Sequence, residues 1–65
     1  MSNIGEKMSI AIEILSMKLS KDMFNKEKVN KIFKEKELVY SGDIETIERV
    51  INVYGKELKE EMQNG

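Results

Sequence analysis

Three groups of side chains in this sequence could do chemistry or make contacts, and they differ in kind. The first is acidic: Glu60-Glu61, and Asp43 with Glu45 and Glu48. Paired carboxylates can divide the roles of general acid and general base, or hold a hard cation through oxygen. Here they are consecutive, or sit at a helix end where carboxylates are ordinarily solvated. The chain has no His and no Cys, which removes the usual proton shuttle, the thiol nucleophile and the common zinc ligands. No Ser stands beside a candidate base. No catalytic residue, metal site or cofactor is expected, and the chain is not expected to be an enzyme.

The second group is basic. Residues 23–40 carry five Lys (Lys26, Lys28, Lys31, Lys34 and Lys36) against three Glu, whereas residues 41–65 carry three basic against six acidic groups. Lysines in this number can contact phosphates, and two helices joined by a turn near Gly42 have the outline of a helix-turn-helix. The second of those helices would open with Asp43, Glu45 and Glu48, presenting like charge to a polyanion. A DNA-binding regulator is therefore the second reading, and a solvated lysine face the first.

The third group is apolar. On a helical wheel of the first twenty or so residues, Ile4, Met8, Ala11, Ile12, Leu15, Leu19 and Met23 form one broad stripe. Ile10, Ile14 and Met17 form another, separated from it by Lys7, Lys18 and Lys21 on one side and by Ser9, Glu13, Ser16 and Ser20 on the other. A helix that is apolar on two sides lies between two neighbours in its own chain or offers one side to another molecule. Ile10, Ile14 and Met17 are the candidate partner or dimer interface, with Met and Ile as adaptable anchors.

Three helices are expected to position these groups, at about 3–22, 26–40 and 43–62. Ser2 or Asn3 can cap the first, with Glu6 opposing the dipole in its opening turn. Asn25 can cap the second, with Phe24 and Val29 as a hydrophobic staple. Val29, Ile32, Phe33, Val39 and Tyr40 are expected to share its buried face, with Lys28, Lys31, Lys34 and Glu35 pointing away. Residues 37–40 read equally as a last helical turn or a loop, because Leu38 falls off the stripe. Gly42 suits the left-handed residue that ends a helix, and Asp43 or Ser41 can cap the next. Ile44, Ile47, Ile51, Tyr54, Leu58 and Met62 then recur at steps of three and four. Glu45 and Arg49 stand at the spacing of a surface ion pair. Gly55 lies on the apolar side, where it marks either the helix end or a close helix contact.

The segment Tyr40-Ser41-Gly42-Asp43-Ile44-Glu45-Thr46-Ile47 resembles the Ser-Gln-Glu-Leu-Asp signature of the small helical-hairpin aspartyl-phosphate phosphatases that act on sporulation response regulators, and Ile12-Glu13-Ile14-Leu15 is similar to their first helix. Glu45 stands where the signature has Asp, and Gly42 where it has Gln. The resemblance implies a phosphatase-like regulator as a third reading, with Ser41 and Glu45 as the residues concerned.

Size bounds all of these readings. A chain of 65 residues is expected to form a single helical domain that buries only about 60% of the surface its unfolded form exposes. Without Cys or His it has neither a disulfide nor the usual metal site to add stability, which favours a partner subunit. Charged residues make up 35% of the chain, there is no Pro, and the longest apolar run near the start is Ile10-Ala11-Ile12. That pattern fits neither a signal peptide nor a membrane span. The reading is an all-α, small three-helix bundle completed by dimerisation. It would act as a small intracellular, cytoplasmic protein–protein interaction module, a bacterial or phage regulatory adaptor or inhibitor using a helical surface. A protein partner and a homodimer are expected; nucleic acid and membrane are not.

Overall fold

The computed structural model describes residues 4–64, and it is all-α. Helix α1 runs from Ile4 to Asp22, α2 from Lys26 to Tyr40, α3 from Ile44 to Arg49 and α4 from Gly55 to Asn64. A π-helical segment, Val50–Tyr54, joins α3 to α4 without a break. Together the last three make one rod beside α1. Ser2 and Asn3, the expected caps of α1, lie outside the described residues.

Local sequence accounts for the two turns. The Asn25 side chain accepts a hydrogen bond from the Lys28 backbone N–H at 3.2 Å, satisfying one of the donors orphaned at the start of α2. At the other end Gly42 adopts φ +86°, a left-handed conformation that costs a residue with a Cβ but not glycine. The Gly42 N–H donates to the Val39 carbonyl and the Asp43 N–H to the Leu38 carbonyl, at 3.0 and 3.1 Å. This pair of bonds is a Schellman closure, and it carries α2 through Tyr40 as helix. The Asp43 carbonyl accepts from the Ile47 N–H at 3.0 Å, but its side chain does not cap the backbone of α3; the carboxylate instead accepts from the Thr46 hydroxyl.

Ala11 and Leu15 of α1, Ile32 and Val39 of α2, and Ile47 and Val50 of the third rod form the buried core. Met8, Ile12, Ile14 and Leu19 pack against its edge. The chain runs up, down and up, so α1 and the third rod are parallel, and α2 is antiparallel to both. Three ion pairs fix the register of the parallel pair: Lys7 with Glu48 at 3.8 Å, Lys18 with Glu57 at 3.2 Å, and Lys21 with Glu61. A residue of α1 therefore stands level with one about forty places later.

The structure corrects the sequence reading at four points. Glu35, expected on the solvent side of α2, is 4% exposed, because Ile32, Glu35 and Val39 fall at i, i+3 and i+7 and form the true inner stripe. Phe33 and Tyr40, expected inside, are exposed at its margin. Phe24 forms no staple; it is 95% exposed in the tight turn before Asn25. Arg49 does not serve Glu45 along its own helix but reaches across to Glu35, with Nη2 donating to Oε2 at 3.1 Å.

A candidate protein-interaction face

Helix α2 covers only one side of the seam between α1 and the third rod. On that side Glu35 is held from two directions. The Tyr54 hydroxyl donates to its Oε1 at 2.7 Å, and Arg49 binds the other oxygen. A carboxylate placed in a core must have such partners, since desolvation otherwise costs more than its packing returns. Tyr54 is in turn perturbed: burial first, then its hydrogen bond to Glu35 and the negative charges of Glu35 and Glu57, raise its pKa from 10.0 to about 12, with Arg49 opposing. The Lys18 ammonium lies 5.4 Å from the centre of the Tyr54 ring. Nearby, the mostly buried Asp22 carboxylate is flanked by Lys18 and Lys28. These charges cross-link three helices.

The π-helical segment explains how the rod serves both sides of the seam. The Gly55 N–H reaches the Val50 carbonyl five residues back, so the turn is wider than an α-turn and the residues after it are rotated back about the axis. Consecutive residues then serve different neighbours: Tyr54 bonds to α2 through Glu35, and Gly55 meets α1. The backbone stays helical at Gly55, with φ −61° and ψ −41°. A Cβ built there would lie 3.3 Å from Ile14 Cδ1, closer than comfortable contact. Gly55 thus lets Ile14 settle against the rod.

Among the described residues, no helix covers the other side of the seam. Ile10 is 43% exposed and Met17 47% exposed, while Ile14, between them, is half-buried against Gly55. Across the seam Leu58 forms the floor and Met62, 75% exposed, the rim. A groove of about 420 Å³ lies between Met17, Leu58 and Met62, closed by Lys21 and Glu61. Beyond the Lys7–Glu48 pair, outside the strip, a second hollow of about 250 Å³ lies between Ile4 of the core stripe of α1, Ile44 and Ile47. The face is therefore an apolar strip with an ion pair across the seam at each end.

Of the residues singled out from sequence, Ile10, Ile14, Met17 and Gly55 come together on this strip, although Ile14 is shared with the core. Leu58 and Met62 complete it from the far side of the seam. A single helical wheel does not expose their role, since it depends on the register between two helices. The register shows in the fold as Lys7, Lys18 and Lys21 of α1 meeting Glu48, Glu57 and Glu61 about forty places later. Ser41 caps the end of α2, its hydroxyl donating to the Leu38 carbonyl at 2.7 Å, and Glu45 is exposed on α3. Lys26, Lys28, Lys31 and Lys34 are all exposed on α2, away from the strip.

Among the described residues no helix is long and apolar enough to cross a membrane. In comparisons with known proteins no family model matches the chain, and no curated protein or solved structure matches it significantly.

Proposed function

We propose that the chain is a small intracellular protein–protein interaction module, an adaptor or inhibitor that acts by docking the strip along the α1 seam against another polypeptide rather than by catalysis. The observation that carries this reading is the apolar strip left open opposite α2, where Met17 and Met62 are exposed around a groove floored by Leu58 and Ile10 is exposed further along the same face of α1. Scattered apolar side chains are normal on a protein surface, but a contiguous patch framed by charge is the usual mark of a contact site.

The polar groups best placed for other work are already engaged within the fold: Glu35 with Tyr54 and Arg49, Thr46 with Asp43, and Ser41 with Leu38. The test is site-specific photo-crosslinking in the native host, with a photoreactive residue replacing Met17 on the strip or Lys34 on the exposed side of α2. Protein adducts from Met17 and not from Lys34 are expected. Equal yields from both positions, or none from Met17, would refute the reading.

A further inference from the structure

From the charge pattern of the strip we infer that its occupant is a second copy of this chain, packed about a two-fold axis that runs along the helices, with α1 of one copy over the α3–α4 rod of the other. This rests on the reading of the strip as a protein interface and adds to it the partner and its orientation.

Both ends of the strip on α1 are basic, Lys7 and Lys21, and both ends on the rod are acidic, Glu48 and Glu61. Between them lies the apolar stretch of Ile10, Ile14 and Met17, whose spacing of three and four residues is that of a helix seam. Two symmetric ways exist to lay this face on itself. If the axis crosses the helices, α1 meets α1 head to tail: Lys7 of one copy approaches Lys21 of the other, and Glu48 approaches Glu61. Like charges then face each other at both ends of a desolvated strip, which opposes association. If the axis runs along the helices, α1 meets the rod of the other copy with both pointing the same way.

The internal register decides what that second arrangement brings together. Lys7 already stands level with Glu48, and Lys21 with Glu61, within one chain. In the parallel dimer each lysine is level with the glutamate of the second copy as well. Each of these four charges then has an opposite neighbour on its own chain and another across the interface, and the four central helices form a bundle with alternating sign around its ends. A self-complementary face of this kind is what a closed two-fold dimer requires.

Sedimentation equilibrium of the full chain over a concentration series tests both parts. The wild type is expected to dimerise, and Met17→Glu, which places a charge on the apolar strip away from the core, to weaken dimerisation by about tenfold or more. Circular dichroism of Met17→Glu should show wild-type helicity, so that loss of the dimer is not loss of the fold. Orientation is read from the double variant Lys21→Glu/Glu61→Lys, which keeps the pair within the chain but reverses its sense. In the parallel arrangement this variant dimerises about as well as the wild type and mixes poorly with it. In the head-to-tail arrangement it would dimerise more tightly than the wild type, because Lys7 and Glu48 would then meet opposite charges. A tighter double variant overturns the orientation. A wild type that stays monomeric at the highest soluble concentration overturns the dimer; if Met17 nevertheless crosslinks to a different protein in the host, the interface reading survives with a foreign partner.

Discussion

Replacing Tyr54 with Phe removes one hydroxyl and should cost more than any single surface contact in this protein. In the native structure that hydroxyl donates to the Glu35 carboxylate at 2.7 Å, and Glu35 is almost wholly buried. A hydrogen bond to a charged group contributes about 1.5–3 kcal/mol, and leaving a buried acceptor without its donor forfeits that full amount. Arg49 still holds the second oxygen, but its side chain is 55% exposed, so its contribution is screened by solvent and cannot compensate. A loss of about 2 kcal/mol is large against the ~3–10 kcal/mol expected for a domain of this size, and corresponds to a fall in Tm of roughly 8–16 °C. Urea unfolding followed by far-UV circular dichroism measures it, at one fixed protein concentration because the proposed dimer would tie apparent stability to concentration. The companion double variant Glu35→Leu/Tyr54→Phe removes both partners, and should lie within about 1 kcal/mol of the wild type because no buried polar group is then orphaned. A Tyr54→Phe cost below about 0.5 kcal/mol, or a double variant as damaged as the two single changes added together, would refute the account of α2 docking through this carboxylate.

Three further outcomes follow from local geometry. Gly42→Ala should destabilise the fold by about 1–2 kcal/mol, because φ is +86° there and a Cβ is strained in that region even with open space around it; thermal unfolding reads this directly. Gly55→Ala should be mildly stabilising, by roughly 0.5 kcal/mol. Alanine gains about 1 kcal/mol of helix propensity, and the atom it crowds, Ile14 Cδ1 at 3.3 Å, is the free end of a side chain that can move a few tenths of an ångström toward the open strip. Stability should also fall as pH rises from about 10 to about 12. The folded protein holds the Tyr54 proton more tightly than the unfolded chain, so its contribution is complete below the unfolded pKa of 10.0 and is lost as pH climbs through about 12. Comparing the alkaline limb of the stability profile of the wild type with that of Tyr54→Phe isolates this component, which should vanish in the variant.

The elements themselves were legible from the sequence, because they rest on local rules: the Asn25 cap, the left-handed Gly42 and the apolar steps from Ile47 to Leu58 each act within a turn or two of chain. What was not legible depends on neighbours. By residue type Glu35 reads as solvent-facing, because a carboxylate normally belongs there, and Tyr54 and Arg49, fourteen or more residues away, make its burial tolerable. The spacing Ile32–Glu35–Val39 was the available signal, and residue type outweighed it. The π-helical turn has no sequence signature of its own. Gly55, which the sequence leaves open as either a helix end or a close contact, lies in continuous helix against Ile14. The strip was half-legible: Ile10, Ile14 and Met17 stand out on a wheel of α1, but Leu58 and Met62 join them only once the parallel register of α1 and the third rod is known.

The proposed dimer buries this strip under a second copy, and the methionine methyl groups report on that burial. Met17 and Met62 lie on the strip, while Met23 is exposed in the turn after α1. A soluble paramagnetic probe broadens the methyl signals it can reach. As protein concentration rises, the signals of Met17 and Met62 should become shielded together while Met23 stays accessible. Equal accessibility of all three at every concentration would contradict the claim.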